Sequence, residues 1–261
     1  MDDSTATDRR VVLITGAASG IGAATARRFI REGWDVAINF LDAAQREAAQ
    51  GLATSANAPG QRGIAIEGDV TRDADCVRLV EGTVQALGRL DALVNAAGIS
   101  KMVAHPKLHD VSADDFQRIY AVNTIGPFQM MRAAGLHLKA SGRGSVVNIS
   151  SRAGLMGSGS SIPYAASKAA LNALTLALAR VLAPEVRVNA VCPALVEQGF
   201  VERLAPETFA QRRAHQINVS PLKRIGHPDE VAEAIWWLTS GASMMTGAIV
   251  ELDFGMHLNA I

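Results

Sequence analysis

The chain has 261 residues, 49% of them hydrophobic, and its 25 Lys plus Arg balance 25 Asp plus Glu at zero formal net charge. This length suits one large α/β domain, the apolar share excludes a disordered chain, and the charge balance argues against a nucleic-acid partner, which calls for a basic face. Two cysteines, Cys76 and Cys192, cannot build a disulfide framework, and no Cys/His spacing suggests a metal site. The start, Met1 to Thr5, is acidic and polar rather than leader-like, and residues 1–9 read as a flexible N-terminus. The longest uncharged run, Ala234 to Val250, is broken by Thr, Ser and Gly; a spanning helix needs about 20 predominantly apolar residues. We therefore expect no membrane partner and a cytoplasmic protein.

Short β-rich runs at 11–14, 36–38, 64–66, 90–94, 145–149, 186–191 and 248–252 alternate with helical patterns at 20–32, 42–56, 73–87, 112–139, 164–182 and 228–239. This βα alternation predicts a doubly wound parallel seven-stranded sheet with helices on both faces, a Rossmann fold in a single domain over 1–261. Ser112 with Asp115 three residues on, and Pro228 before Asp229-Glu230, look like helix starts. Segment 193–225 breaks the rhythm and follows a strand end, where such sheets place their ligands, so we read it as a substrate lid or loop; the alternative is a surface helical insertion.

The first strand runs into Thr15-Gly16-Ala17-Ala18-Ser19-Gly20-Ile21-Gly22 and then a helix. Glycines there permit a tight turn and close approach of a pyrophosphate, whose charge would rest on helix N-terminal N–H groups. Asp69-Val70 and Asn95-Ala96-Ala97-Gly98 close the third and fourth strands, where small residues admit a flat ligand; each is also an ordinary turn sequence. Asn123, among poor helix formers, suggests a local helix distortion or a buried polar contact. Ser151 ends the fifth strand, chosen over Ser150 on spacing. Tyr164 and Lys168 share one helix face, so the ammonium is expected to lower the phenol's pKa and make it a usable acid or base. With two tyrosines in the chain, a chance Tyr-x-x-x-Lys has odds of only about 4%. Trp236-Trp237 and the pairs Met130-Met131 and Met244-Met245 read as packing residues, and His105 as a solvated loop residue.

Together the Thr15 to Gly22 turn, Asn95-Ala96-Ala97-Gly98, Asn123, Ser151, Tyr164-x-x-x-Lys168 and Pro193-Ala194 resemble the short-chain dehydrogenase/reductases, over nearly the whole chain from Val11 to Gly255. Within them the chain is similar to the short single-domain branch that includes 3-oxoacyl-carrier-protein reductases. The resemblance implies hydride transfer between a nicotinamide and a carbonyl or alcohol carbon of a small-molecule substrate. Tyr164 would be the proton donor or acceptor, Lys168 would tune it and hold the ribose, Ser151 would polarise the carbonyl, and Asn123 would anchor a water relay. It places Gly16, Ser19, Gly20, Ile21, Gly22, Asn39, Phe40, Asp69, Val70, Asn95, Ala96, Ala97, Gly98, Pro193 and Val196, with Tyr164 and Lys168, at the cofactor.

This chain departs from the family pattern at Ala96, Ala194, Gln198 and Asp253-Phe254-Gly255. At the end of the second strand Phe40 takes the position where an acid would select NAD, with Asp42 two places late, which favours NADP(H) and leaves NAD(H) possible. An NAD-dependent sugar or alcohol dehydrogenase is the alternative activity, and a non-catalytic dinucleotide sensor a second one. The family habit and the apolar helices at 112–139 and 164–182 imply a homo-oligomer, a tetramer or dimer.

Overall fold

The computed structural model describes residues 9–259. The flexible terminus expected over 1–9 thus lies, apart from Arg9, outside the described residues; Arg9 itself is tied down by its guanidinium donating to the Gly33 carbonyl at 3.1 Å.

The strands β1 (Val11–Thr15), β2 (Asp35–Phe40), β3 (Gly63–Glu67), β4 (Ala92–Asn95), β5 (Gly144–Ile149), β6 (Val186–Pro193) and β7 (Ile249–Leu252) form one sheet in the order β3-β2-β1-β4-β5-β6-β7. Every pairing is parallel. The β1 run Val11 to Thr15 is buried throughout because both sheet faces are covered. One face carries α1 (Gly20–Arg31), α2 (Ala43–Thr54) and α10 (Pro228–Ser240), packed through Phe29, Ala49, Ile235 and Leu238. The other carries α3 (Asp73–Leu87), α5 (Gly126–Ala140) and α7 (Ile162–Leu182), packed through Leu79, Met130, Leu138 and Ala179. Strand order reverses between β1 and β4, and the crevice outside their carboxyl ends is where this architecture places ligands.

The expected helix over 112–139 is three pieces: α4 (Ala113–Tyr120), a π-helical turn over Ala121–Ile125, and α5. Ser112 and Asp115 form the reciprocal cap that the sequence suggests. Two further helices, α6 (Ala153–Met156) and α8 (Phe200–Leu204), and the longer α9 (Pro206–Val219), have no counterpart among the predicted helices. Segment 193–225 is thus largely helical, and its Leu195, Gln198, Arg212 and Gln216 nonetheless line the crevice.

By length and composition α7 could cross a membrane. Here it packs along β6 and α6 and carries Tyr164 and Lys168 into the crevice. Trp236 joins Phe29 and Trp34 in an edge-to-face cluster with centroids 5.0–5.8 Å apart. Met130 and Met131 are core residues as expected, whereas Met244 is 98% exposed and fills no gap.

Candidate active site

The carboxyl ends of β1, β4, β5 and β6 open into a cleft of about 620 Å³. Its floor depends on close backbone approach. Gly16 leaves β1 at φ +60°, and a Cβ there would stand 2.7 Å from Ala97 Cα; a Cβ on Gly22 would stand 2.5 Å from the Gly16 oxygen. No other residue fits either place without moving main chain. Thr15 Oγ1 accepts from the N–H groups of Ala96 at 3.0 Å and Ala97 at 3.2 Å, fixing β4's exit to β1. Ser19 caps α1 without a side-chain hydrogen bond, so the first-turn N–H groups of Gly20, Ile21 and Gly22 have no side-chain acceptor beside the cleft. Asp69, Val70, Ala96, Ala97, Gly98, Pro193 and Val196 complete the lining along this side and its rim.

Two expected cofactor contacts, Phe40 and Asn95, fall outside the cleft lining. Phe40 does not line the cleft; it is 2% exposed, packed into the α1/α2 core beneath the Arg46 guanidinium. As the last strand residue it is still sandwiched between covered faces, and the first residue beyond, Leu41 at 51% exposure, reaches the cleft with Gln45. Asp42, two places late, also stays out of the cleft: its carboxylate accepts from Ala44 N–H at 3.1 Å as the cap of α2. Asn95 lies under the floor, donating to Asn148 Oδ1 at 2.8 Å, and Asn148 donates in turn to Thr175 Oγ1 at 2.9 Å. Asn39 does border the cleft, yet its amide is spent as a brace: Oδ1 accepts from Gly16 N–H at 3.1 Å and Nδ2 donates to the Gly68 carbonyl at 2.9 Å.

Opposite the glycine turn stands α7. Ser161 caps it by accepting from Tyr164 N–H, and Pro163 occupies its first turn. Tyr164 and Lys168, one turn apart, are both buried and both line the cleft. The Tyr164 hydroxyl shares a hydrogen bond with Ser151. Lys168 Nζ donates to the Ile149 carbonyl at 2.7 Å and lies 5.8 Å from the Tyr164 ring centre. Ser150 has a different task, its hydroxyl donating to the Lys168 carbonyl at 3.1 Å, which separates the two neighbouring serines.

Asn123 sits inside the π-helical turn, fully buried and behind the cleft lining. Its Oδ1 accepts from Ile99 N–H at 2.9 Å, and its Nδ2 donates to the Ile99 carbonyl at 3.0 Å and to Ser167 Oγ at 3.1 Å. The widened turn lets an asparagine leave the helical pattern and clamp the chain after Gly98. A Cβ on Gly98 would lie 3.5 Å from Asn123 Oδ1 and 3.7 Å from Lys168 Nζ, so asparagine and ammonium flank the same glycine.

The expected lowering of the Tyr164 pKa is not what the protein alone produces. Burial pushes the phenol up to about 12, only partly opposed by the Ser151 hydrogen bond. Burial likewise pulls Lys168 down to about 8. At neutral pH the pair is therefore a protonated phenol beside an ammonium poised to lose its charge.

Sequence reasoning overlooked Ser167, although it falls between Tyr164 and Lys168. This buried mid-helix serine donates to the Tyr164 carbonyl at 2.7 Å and accepts from Asn123, joining α7 to the π turn. It also overlooked Arg152 and Met256, which line the cleft. His105 does not line it. Among the described residues Glu251, Asp253 and His257 bring ligand-type atoms within 4.8 Å of one another. Asp253 is already held there by His257 at 3.0 Å and Arg152 at 3.5 Å.

A profile of the family described as enoyl-(acyl carrier protein) reductase matches residues 16–257. A Streptomyces violaceoruber protein assigned as ketoacyl reductase 2 of the granaticin polyketide synthase is 40% identical over 95% of this chain and 96% of its own. A Burkholderia xenovorans structure assigned as a short-chain dehydrogenase/reductase superposes with a TM-score of 0.88 at 42% identity, covering 97% of this chain and 99% of that one. The chain belongs to the short-chain dehydrogenase/reductase family. Bovine L-fucose dehydrogenase, 36% identical over 95% of this chain and 90% of its own, is another relative.

This short-chain dehydrogenase/reductase is accordingly an oxidoreductase of CH–OH and carbonyl groups that binds NAD(P). The cleft suits such a dinucleotide on its own evidence. The turn at Gly16 and Gly22 has no room for side chains, and the uncapped N–H groups of α1 are a ready diphosphate site.

Proposed function

We propose that the enzyme interconverts a ketone and a secondary alcohol with NADP(H), acting as a reductase of the 3-oxoacyl kind. The observation carrying this reading is the buried Tyr164–Ser151 pair, with Lys168 one turn on, across the cleft from an anion-ready glycine turn. Gly16, Ser19, Gly20, Ile21 and Gly22 would hold the diphosphate, Asp69 and Val70 the adenine, Ala96, Ala97 and Gly98 the floor, Tyr164 and Lys168 the nicotinamide ribose, and Pro193 and Val196 the nicotinamide. When bound, the nicotinamide supplies or accepts the hydride.

The protein's own part is proton movement and orientation. Ser151 donates to the substrate oxygen and holds it against the phenol, and Tyr164 gives that oxygen its proton. A phenol kept neutral by burial is well suited to this step, which typically contributes 10²–10⁴-fold. The Lys168 ammonium offsets the phenolate left behind. Asn123 and Ser167 are positioning residues, fixing the chain after Gly98 against α7. Segment 193–225 serves as the lid.

NADP(H) is favoured because no free carboxylate faces the cleft at the end of β2. Leu41 and Gln45 stand there, and Asp42 is spent on α2. A homo-oligomer is supported by apolar Phe128 and Leu136 exposed on α5, and Leu176 and Val181 on α7; light scattering during size exclusion would read a dimer or tetramer, and a monomer would refute it. Steady-state assays of 3-oxoacyl thioesters, simple ketones and hexoses with NADPH and NADH test the main reading. Turnover of ketones with NADPH at least about tenfold better than with NADH is expected; turnover of hexoses alone with NAD would replace it.

A further inference from the structure

The charged groups around the cleft are lopsided. Among the described residues lining it, Asp69 is the only carboxylate, and it is occupied by Thr71, whose N–H and hydroxyl donate to it at 2.9 and 2.8 Å. Four cations line it: Arg152, Lys168, Arg203 and Arg212. Three of these have evident roles. Arg152 is balanced by Asp253, Lys168 belongs to the catalytic group, and Arg203 is exposed and donates to the Gln198 carbonyl, on the glycine-turn side.

Arg212 is different. It lies on α9 with its guanidinium half-buried, and burial lowers its pKa. Among the described residues no carboxylate pairs with it; its one hydrogen bond runs from Nη2 to the Gly159 carbonyl at 3.0 Å. Gly159 is the residue whose Cβ would meet Tyr164 Cδ1 at 3.7 Å, so Arg212 is anchored on the Tyr164 side of the cleft. The helix bearing it is held firmly. One turn on, the buried Gln216 accepts from Leu195 N–H at 3.0 Å and donates to the Arg224 carbonyl at 3.3 Å, fastening α9 to the chain leaving β6. His215, three positions from Arg212 and on the same helix face, also lines the cleft.

Arg187, comparably buried, spends its donors on the Leu238, Ala242 and Thr239 carbonyls, whereas Arg212 binds one carbonyl and keeps its remaining N–H groups for the cleft. The free N–H groups of a guanidinium match a carboxylate in a planar fork. On the Tyr164 side of the cleft Arg212 is the one lining arginine without a carboxylate partner among the described residues, and a single guanidinium matches the single charge of a carboxylate. From this geometry we infer that the substrate is an oxo acid or hydroxy acid whose free carboxylate is held by Arg212 while its carbonyl or hydroxyl carbon lies at Tyr164. This rests on the ketone/alcohol oxidoreductase reading above and, within it, names a free acid rather than an acyl thioester as the substrate.

The test uses matched pairs: 3-oxobutanoate, 4-oxopentanoate and 4-oxocyclohexanecarboxylate, each against its methyl ester, with NADPH. Wild-type kcat/KM is expected to favour at least one acid over its ester by about 10- to 100-fold, the worth of a charge-assisted pair. In Arg212→Leu that ratio falls to about one. Arg213→Leu, on the exposed side of the same helix, keeps it. Calorimetric titration of the acid and its ester into the NADP-loaded protein reads the same selectivity without turnover. Esters handled as well as acids by the wild type, or an acid preference that survives in Arg212→Leu, overturns the inference even if that variant is poorly folded, because the wild-type ratio stands alone. Failure of every ketone, acid or neutral, would instead overturn the reductase reading.

Discussion

Along the β1–β4 side of the cleft most polar side chains brace the floor, whereas along the α7–α9 side the titratable groups line the cleft itself. Thr15, Asn39 and Asp69 bind neighbouring backbone or side-chain groups, and Asn95 donates to Asn148 while its buried Oδ1 has no partner among the described residues. Tyr164, Lys168 and Arg212 are buried or half-buried, and burial moves all three pKa values toward the neutral form. The first side is a scaffold that any dinucleotide of this kind can use. The second holds unsatisfied capacity, and there the choice of reaction and substrate resides.

The sharpest contrast is Tyr164→Phe, which keeps the packing and removes the acid. Turnover should fall by about 10³-fold while NADPH binding, followed by fluorescence, persists. Near-normal turnover would show that the phenol is not the proton donor. On the scaffold side Gly16→Ala, forced to place a Cβ against Ala97 main chain at φ +60°, should weaken NADPH by about 10- to 100-fold. An unchanged dissociation constant would mean that the turn does not carry the dinucleotide.

The pH dependence separates the sides further. Lys168, at about 8 in the free protein, is protonated below that value and loses its charge above it. Reductive kcat/KM should therefore hold level up to about pH 8 and then fall about tenfold per unit, with Tyr164 remaining protonated throughout. Lys168→Met should lower the plateau and abolish that limb; a limb that persists assigns it to another group. Thr15→Val, which strips two backbone N–H groups of their acceptor, should cost about 1–3 kcal/mol of unfolding free energy in urea titrations. Smallest of all, Asp42→Ala should cost about 1 kcal/mol as a lost helix cap and leave the NADPH-to-NADH preference within about twofold. A large swing in that preference would return Asp42 to the cofactor.

Much of this was legible before any coordinates. Strand and helix periods place all seven strands and, as six segments, seven of the ten described α-helices, and the Tyr164/Lys168 spacing follows from helix geometry alone. The distortion at Asn123 was legible too, because a polar residue among poor helix formers signals broken regularity, and the π turn supplies it. Phe40 and Asn95, expected at the cofactor, lie outside the cleft lining for one reason: a strand's last residue can end inside or outside the core, and only the packing of both sheet faces decides which. The Tyr164 pKa was misjudged because spacing gives the neighbouring charge but not the desolvation that outweighs it. Arg212 could not be singled out from Arg213, since α9 lacks a strong apolar stripe and its orientation is set by the Gln216 tether.

The sequence by itself determined the fold and the glycine turn and put Tyr164 and Lys168 on one helix face, because these depend on local periodicity and on residue types a few positions apart. The tertiary structure decided which side chains reach the cleft, which are spent as braces, and which charges lie buried without partners. Those properties arise from burial and from contacts between residues far apart in the chain, and no local pattern encodes them.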